Sequence, residues 1–188
     1  TCEGFTIKCL YVGSLIEPKG LHFLIKAMSK LKNTQKLRLR IAGTGPLQLD
    51  LARLAKQEGL EKRVEFLGHV PSGQVRDLYR TSDLFILPTL SGGFPRVLYE
   101  AMSQSVPIIT TQVGGIAGLL KDGWNALLVK PASVDHLAEA ISRLIQNHKL
   151  RRQLMRNARY TYLKALDRPS ITTIFRMLTS NDPNFDVI

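Results

Sequence analysis

Short apolar runs recur along the chain between Phe5 and Val129. Two of them, Leu84–Leu87 and Leu127–Val129, do not alternate between apolar and polar positions, so we expect both of their faces to be buried. Strands of this kind belong in the middle of a parallel sheet. The runs predicted to be strands are Phe5–Val12, Leu37–Ala42, Val64–Leu67, Leu84–Leu87, Pro107–Thr110 and Ala126–Val129.

Amphipathic helical patterns fill the stretches between these runs. Leu21, Leu24, Met28 and Leu31 recur at helical spacing, with polar residues on the other side. The strand starts are roughly 20–30 residues apart, the length of a βα unit, and right-handed crossovers place helices on both faces of a sheet. The pattern predicts a Rossmann-like, doubly wound α/β domain with a parallel sheet of about six strands.

The pattern changes to helices alone after the last predicted strand. The predicted helices are Val134–Asn147, Leu150–Leu163 and Ser170–Thr179. Ser133 is a suitable N-cap for the first of them. We therefore interpret residues 1–188 as one domain with a helical C-terminal extension over residues 133–180, ending in a frayed tail.

Composition excludes several classes of protein. The chain has 188 residues, of which 44% are hydrophobic and 22% charged, as in ordinary globular domains. No apolar run approaches about 18 residues, so no membrane span is predicted, and no leader is predicted either. Cys2 and Cys9 are too few for a disulfide framework or a metal site, and they suit a reducing cytoplasm. The net charge of +11 is unusual and favours anionic partners: nucleotides, nucleic acid or acidic membrane.

Glycines cluster just beyond the ends of the predicted strands. They are Gly13, Gly43, Gly45, Gly68, Gly92, Gly93, Gly114 and Gly115. Ligands of open α/β sheets bind at this edge, where glycine admits close approach and helix N-termini offer N–H groups to anions. Loops between strands and helices also use glycine for turns alone, but two double glycines favour a phosphate-bearing ligand.

Known nucleotide motifs narrow the choice of ligand. Gly43–Gln48 begins like a dinucleotide fingerprint but has Gln48 in place of the third glycine, so NAD is disfavoured. The P-loop pattern is missing from the sequence. So are an Asp-x-Asp pair and a His/Cys cluster, and no metal site is predicted.

Six segments, taken in order, resemble the motifs of one known family. They are Val12–Gly20, Ile41–Pro46, Phe66–Val70, Ser82–Thr89, Gly93–Ile116 and Asp122–Val129. Together they look like the C-terminal, donor-binding half of a family 4 retaining glycosyltransferase with the two-Rossmann (GT-B) architecture. The resemblance spans residues 8–160.

The resemblance implies a reaction and its partners. It implies transfer of a sugar, with retention, from a UDP-, GDP- or other nucleoside-diphosphate sugar to a glycan or lipid-linked acceptor, without a metal cofactor. Members of the family place an N-terminal acceptor-binding Rossmann domain before this one. We therefore expect that domain to be absent from this chain and the chain to be inactive alone. The implied setting is cytoplasmic polysaccharide biosynthesis, with peripheral contact to an anionic inner membrane face left open.

The resemblance also assigns roles to individual residues. Lys19 matches the lysine that contacts the diphosphate, and Glu100 matches the second glutamate of the E-x7-E motif, which binds the ribose hydroxyls. These two are the expected catalytic residues. The alternative for each is a solvent-facing charge on a helix with no role in the reaction. The N–H groups of Val97 and Leu98, at the start of the same helix as Glu100, are expected to reach phosphate.

The other expected substrate-binding residues lie in loops at the same edge of the sheet. They are Gly13, Ser14, Val70, Gly92, Gly93, Phe94 and Arg96. Val70 is expected to contact the base through its backbone, and Phe94 to shape its loop. Arg96 either binds phosphate or the acceptor, or is solvated.

Three positions depart from the family pattern. Ser14 replaces an arginine, Gly92 replaces the first glutamate of E-x7-E, and Gly118 replaces a further glutamate. Three interpretations of these losses stay open. The donor could bind in a different geometry, or the other domain could supply the missing groups. Alternatively, the chain could be a non-catalytic module that binds nucleotide sugars.

The segment Ala140–Leu166 contains no acid and many basic residues. Arg152, Arg156 and Arg159 are predicted to share one helical face, which is either a solvated surface or a contact with anionic membrane. A basic RNA- or phosphate-binding α/β domain is a further alternative. Nucleic acid is not expected, because aromatic residues are not interleaved with the basic ones.

Overall fold

Six parallel strands form one sheet in the part of the chain that the structure describes, residues 6–33, 36–92 and 95–166 of a computed structural model. Their order is β3-β2-β1-β4-β5-β6. The strands are β1 (Ile7–Val12), β2 (Leu37–Ala42), β3 (Val64–Gly68), β4 (Leu84–Leu87), β5 (Ile108–Thr111) and β6 (Leu127–Val129). This is the strand order of a doubly wound Rossmann-like sheet, so the predicted fold class is confirmed.

Helices follow each strand and pack in two groups. They are α1 (Leu21–Leu31), α2 (Gln48–Gln57), α3 (Ser72–Arg80), α4 (Arg96–Ser103), α5 (Ile116–Leu119), α6 (Val134–Gln146) and α7 (His148–Leu166). α1 packs against α2 and α6, whereas α4 packs against α3 and α7. The chain reverses its direction across the sheet after β3, so right-handed crossovers put the two groups on opposite faces.

Burial explains why the apolar runs form strands. Every residue of β4 and β5 is buried, as the lack of alternation in Leu84–Leu87 predicts. β5 begins one residue later than predicted because Pro107 has no N–H; its carbonyl still accepts from the Phe85 N–H at 2.9 Å. Ala126 forms only an isolated bridge with Asp122, so β6 begins at Leu127.

Side-chain caps mark the starts of the two C-terminal helices. The Ser133 hydroxyl accepts from the His136 N–H at 3.2 Å, which confirms Ser133 as the N-cap of α6. The Asn147 side chain accepts from the Leu150 N–H at 2.9 Å and caps α7. Asn147 also closes α6, because its N–H donates to the Arg143 carbonyl at 3.0 Å, so it is the C-cap of the first helix and the N-cap of the second. The predicted helix Ser170–Thr179 lies outside the described residues.

Strand β1 occupies the point where the strand order reverses. It pairs in parallel with β2 on one side and with β4 on the other. The chain leaves β1 through α1 toward β2 and later crosses back to β4. Doubly wound domains bind ligands at the carboxyl ends of the strands beside such a reversal, and we call this edge, bordered by the loops after β1 and β4, the ligand crevice.

A pair of glycines allows the loops after β1 and β2 to touch. Gly43 has φ +141°, and a Cβ added there would lie 1.9 Å from the carbonyl oxygen of Gly13. No side chain fits at that distance, so the contact requires glycine. Gly68 also has a positive φ, +66°, but a Cβ there would meet nothing within 4 Å.

These two glycines provide a matched test of the contact. Gly43→Ala should lower the free energy of unfolding by roughly 3 kcal/mol or more, because backbone strain adds to a steric clash. Gly68→Ala should cost only about 1 kcal/mol, because it adds strain alone. Urea denaturation of both variants measures the difference. Equal losses would contradict the steric role of Gly43.

Candidate functional site

Backbone hydrogen bonds connect the loops at the carboxyl edge of the sheet. The Leu15 N–H, after β1, donates to the Thr44 carbonyl, after β2, at 2.9 Å. The Gly43 N–H donates to the Gly68 carbonyl, at the end of β3, at 2.8 Å. These bonds hold the loops in a fixed arrangement without side-chain contacts, so the edge is organised before any ligand binds.

Lys19 lies in a turn that touches the loop after β4. It ends a short 3₁₀ turn over Glu17–Lys19, two residues before α1 begins, and its side chain is half-buried. The preceding Pro18 carbonyl accepts from the Leu90 N–H at 2.7 Å. The structure therefore holds the Lys19 backbone across the crevice between β1 and β4, as expected for a residue at the ligand edge.

Buried threonines fix the loop after β4. The Thr111 hydroxyl donates to the Thr89 carbonyl, and the Thr110 hydroxyl donates to the Leu87 carbonyl at 2.9 Å. Thr89, Thr110 and Thr111 are all almost fully buried. The sequence analysis missed these residues, although polar side chains at the end of apolar runs are a signal that could have found them.

Glu100 is the carboxylate that α4 carries at this edge of the fold. It is half-buried, and its Oε2 accepts a hydrogen bond from the Tyr79 hydroxyl, on α3, at 3.0 Å. Burial raises the pKa of Glu100, whereas the bond from Tyr79 and the positive charge of Arg96 lower it. The net pKa is above the usual value for a glutamate.

Tyr79 is a functional candidate that the sequence analysis did not identify. Its side chain is 1% exposed, and its ring packs against Phe85 with the ring centres 5.3 Å apart. Burial raises the pKa of Tyr79, and the negative charge of Glu100 and the hydrogen bond to it raise that pKa further. The phenol therefore keeps its proton and donates it to the carboxylate, which fixes the Glu100 side chain.

The first turn of α4 offers fewer donors than predicted. The Leu98 N–H donates to the Pro95 carbonyl at 3.1 Å, so it is already engaged within the turn. The predicted phosphate contact of Leu98 does not agree with this geometry. The corresponding role of Val97 stays a prediction. Arg96 opens the helix with an exposed side chain, one turn from Glu100.

Two residues that depart from the family pattern border the crevice. Ser14 is exposed, and its carbonyl accepts from the Tyr11 hydroxyl at 2.9 Å; Gly13, before it, has φ +151°. Gly92, after β4, has φ +134°, and a Cβ there would meet none of the described residues within 4 Å. The space for a side chain is open, but the backbone is strained for any residue other than glycine.

The remaining predicted site residues divide into two groups. Val70 is half-buried in the loop between β3 and α3, and its contact with a base stays a prediction. Gly93 and Phe94 lie outside the described residues. Lys19, Ser14, Gly92 and Arg96 thus share the carboxyl edge with Val70, Val97 and Glu100.

The segment Asp122–Val129 has a structural role. The Asn125 side chain is completely buried; its Oδ1 accepts from the Lys121 N–H at 2.7 Å, and its Nδ2 donates to the Thr161 hydroxyl at 3.0 Å. The Asp122 carboxylate accepts from the Leu128 N–H at 2.8 Å. These bonds attach β6 to α7, so this motif supports the fold and not the site.

The predicted basic face of α7 is only partly exposed. Arg152 and Arg156 are exposed. Arg159 is half-buried, donates to the Ser103 carbonyl at 2.5 Å, and lies over the Tyr162 ring at 5.2 Å. Arg159 therefore connects α7 to α4 and is unsuited to the predicted surface role.

The described residues hold neither a cluster of metal-ligating side chains nor a membrane-spanning helix. Nowhere in residues 6–33, 36–92 and 95–166 do three His, Cys, Asp or Glu side chains come together in a way that could hold a metal ion. Within the same ranges, helices long and apolar enough to span a membrane are absent. The expectation of metal independence stays a prediction.

These features define the chain as a doubly wound Rossmann-like domain whose candidate ligand site lies where its strand order reverses. The family described as "Glycosyl transferases group 1" matches residues 6–161, which is most of the chain. The chain therefore belongs to the glycosyl transferases group 1 family. The family resemblance in the sequence motifs is confirmed.

Curated relatives agree with this assignment. An uncharacterized glycosyltransferase, MJ1607, of Methanocaldococcus jannaschii is 32% identical over 150 residues, which cover 80% of this chain and 38% of the relative. The putative teichuronic acid biosynthesis glycosyltransferase TuaC of Bacillus subtilis is 40% identical over 134 residues, covering 71% of this chain and 32% of the relative. The matched segments thus cover only about a third of the length of these relatives, 38% of MJ1607 and 32% of TuaC.

Solved structures show the same fold. The Anabaena protein HepE, in complex with UDP and glucose, has a TM-score of 0.82 and 25% identity; the similarity covers 93% of this chain and 48% of HepE. The C-terminal domain of a glycosyl transferase group 1 family protein (LpcC) from Francisella tularensis has a TM-score of 0.78 and 25% identity, covering 84% of this chain and 85% of that domain.

The contact between Tyr79 and Glu100 generates a test by titration. Tyr79→Phe removes the hydrogen bond that lowers the pKa of Glu100, so the pKa of Glu100 should rise further. NMR of the Glu100 side-chain carboxyl carbon measures it directly. Tyr160→Phe, on the exposed part of α7, is the control and should leave the titration unchanged. An unchanged pKa in Tyr79→Phe would show that the hydroxyl does not hold the carboxylate.

Proposed function

We propose that this chain is the donor-binding domain of a retaining glycosyltransferase. In this proposal, the domain holds a nucleoside-diphosphate sugar, and the complete enzyme transfers the sugar to a glycan or lipid-linked acceptor. The observation that carries the proposal is the carboxylate of Glu100, held by the Tyr79 hydroxyl on a helix that begins at the ligand crevice.

The proposed chemistry needs positive charge at the diphosphate. When the bond from the sugar to phosphate breaks, negative charge collects on the phosphate oxygens, and the sugar becomes oxocarbenium-like. Lys19, in the turn that faces the loop after β4, supplies a cation. The first turn of α4 supplies the positive end of a helix dipole, with the Val97 N–H as its donor to phosphate. In this mechanism the side chain and the helix carry the charge, and no metal is required.

Glu100 has a different role in the proposal. A carboxylate accepts two hydrogen bonds from the vicinal hydroxyls of a ribose, and these strong bonds orient the nucleotide. The Tyr79 bond occupies one oxygen and leaves the other for this purpose. The partial burial that raises the pKa of Glu100 also strengthens any bond it accepts, because solvent screens it less.

The comparisons support a donor of this chemical class. HepE is similar to 93% of this chain and was crystallised with UDP and glucose. Another structure of HepE contains UDP-glucose. Among the relatives, TuaC is named for teichuronic acid biosynthesis and WcaL of Escherichia coli for colanic acid biosynthesis. We propose by extension that the sugar acceptor is a growing polysaccharide or its lipid-linked precursor.

A second domain completes the proposed enzyme. TuaC and MJ1607 extend well beyond the matched segment, since it covers 32% and 38% of their lengths. We propose that an N-terminal Rossmann domain binds the acceptor and closes the crevice. This chain alone would then bind the donor weakly and transfer no sugar.

A second candidate function is a non-catalytic module that binds nucleotide sugars. Gly92 and Ser14 favour it, because the family pattern has a carboxylate and an arginine at these positions. Gly92 leaves open space where a carboxylate would stand. Sugar transfer by the complete enzyme would exclude this candidate.

Lys19 is tested by comparing two ligands. Lys19→Ala should weaken binding of a nucleoside diphosphate by about 1.5–3 kcal/mol and leave the free nucleoside unaffected, since only the phosphates use the charge. Calorimetry with both ligands measures this. Lys26→Ala, on the exposed side of α1, is the control of equal charge and should change neither affinity. Equal effects of Lys19→Ala on both ligands would refute its role.

Glu100 is tested by separating affinity from stability. Glu100→Gln should weaken both nucleoside and nucleoside diphosphate by roughly 1–3 kcal/mol, because the ribose is common to them. The same variant should unfold no more easily at pH 7. An acid whose pKa is raised by folding loses stability as pH rises from its unfolded to its folded pKa, and glutamine avoids that loss.

The pH dependence and a control complete this experiment. The stability advantage of Glu100→Gln should shrink as pH falls below the unfolded pKa, where the wild-type carboxyl is protonated in both states. Glu139→Gln, exposed on α6, should show neither effect. Full nucleotide affinity in Glu100→Gln would contradict the proposed ribose contact.

A further inference from the structure

A second cavity lies at the opposite edge of the sheet, where the strands begin. Its volume is about 330 Å³. Asp83 and Pro107, which line it, directly precede β4 and β5, and Tyr79, whose hydroxyl donates to Glu100, lines it as well. The end of α3, the turn between α4 and β5, and the first turns of α7 form its walls.

The cavity is lined by an excess of positive charge. Arg80, Arg151 and Arg152 all contribute to its walls. Asp83 is the acidic residue among those that line it, and its Oδ2 accepts from the Lys8 N–H at 2.8 Å. His148 also lines the cavity, and its Nδ1 contacts Nη2 of Arg151. The walls therefore carry a net charge of about +2.

Arg151 has a donor that the protein does not satisfy. Its Nη1 is buried and has no hydrogen-bond partner among the described residues. A buried guanidinium N–H without an acceptor is unfavourable, and such groups in folded proteins almost always have a partner. Because Arg151 also lines the cavity, a small rotation of its guanidinium would bring this donor to an anion placed there.

We propose that this cavity binds a phosphate monoester. Phosphate presents several oxygens that accept the parallel N–H groups of arginines, and this matches three guanidinium groups around one space better than a single carboxylate does. The volume is at the lower end of the roughly 300–1,000 Å³ of small-molecule sites, so it suits a phosphorylated sugar better than a nucleotide. This site lies where the strands begin, whereas the proposed donor residues lie toward their carboxyl ends, and Tyr79 contacts both Glu100 and this cavity. The proposal does not depend on the proposed transferase function.

Calorimetry on the full 188-residue chain tests the proposal. The probes are a hexose 6-phosphate, inorganic phosphate and the unphosphorylated hexose. The hexose phosphate should bind more tightly than inorganic phosphate, and the hexose should not bind. Inorganic phosphate binding as tightly as the hexose phosphate would overturn the assignment to a monoester. Absence of binding by both phosphates at millimolar concentration would overturn the site.

Three arginine variants locate the binding. Arg151→Gln should raise the dissociation constant of the hexose phosphate by about tenfold or more, and Arg152→Gln should raise it by a smaller factor. Arg156→Gln, exposed on the same helix outside the cavity, is the matched control and should leave it unchanged. If Arg151→Gln does not fold, Arg152→Gln decides alone, because its side chain is exposed. An equal loss in Arg156→Gln would overturn the site.

Competition with a nucleoside diphosphate tests whether this site differs from the donor crevice. With saturating nucleoside diphosphate present, the affinity for the hexose phosphate should be unchanged. Displacement of the hexose phosphate would place it in the donor crevice and overturn the second site. Arg151→Gln should also bind the nucleoside diphosphate as tightly as the unaltered chain, a result independent of the hexose phosphate.

Discussion

The parallel pairing of β1 with both β2 and β4 is the constraint on which the rest of the structure depends. The strand is placed at the centre of the sheet by its apolar residues, and Cys9, Leu10 and Tyr11 have no solvent exposure. Burial raises the pKa of the Cys9 thiol to about 12, so this cysteine packs and does not react. The chain runs from β1 to β2 and later crosses back to β4, so the strand order reverses at β1. The ligand crevice is thus a consequence of strand order.

Glu100 is a half-buried acidic residue in a strongly basic chain. The net charge is +11, yet α4 keeps a half-buried carboxylate, Glu100, at a cost in desolvation. The Tyr79 hydroxyl donates a hydrogen bond to this carboxylate, and the positive charge of Arg96 also favours its charged form. This arrangement is typical of a group whose partner is a ligand.

The fold was predictable from local patterns because its strands are short apolar runs with consistent burial. Leu84–Leu87 shows this, since every residue in it is buried as the sequence indicates. The contact between Tyr79 and Glu100 was not predictable, because it joins two helices whose packing no local pattern specifies. The contact of Arg159 was not predictable either. Its spacing along the helix suggests an exposed face, but its side chain donates to the Ser103 carbonyl, 56 positions away in the sequence.

Where backbone groups make the contacts, the spacing of residues in the sequence does not specify which of them face a ligand. The glycines after the strands are visible in the sequence, but only the structure separates those that touch a neighbour from those that do not. Leu98 similarly has the correct position for an anion contact, yet its N–H is engaged by the Pro95 carbonyl. Residue type and position therefore identify the edge of the sheet, and hydrogen-bond partners decide which groups remain for a ligand.

The contact between Gly43 and Gly13 has a consequence for how such a domain diversifies in evolution. Since a side chain at Gly43 would overlap the Gly13 carbonyl, neither loop tolerates an insertion or a new side chain at that point without disturbing the other. Gly68 and Gly92 have open space beside them, so their loops are free of this restriction. New specificity should therefore arise in the loops after β3 and β4, while those after β1 and β2 stay nearly invariant among descendants of this chain.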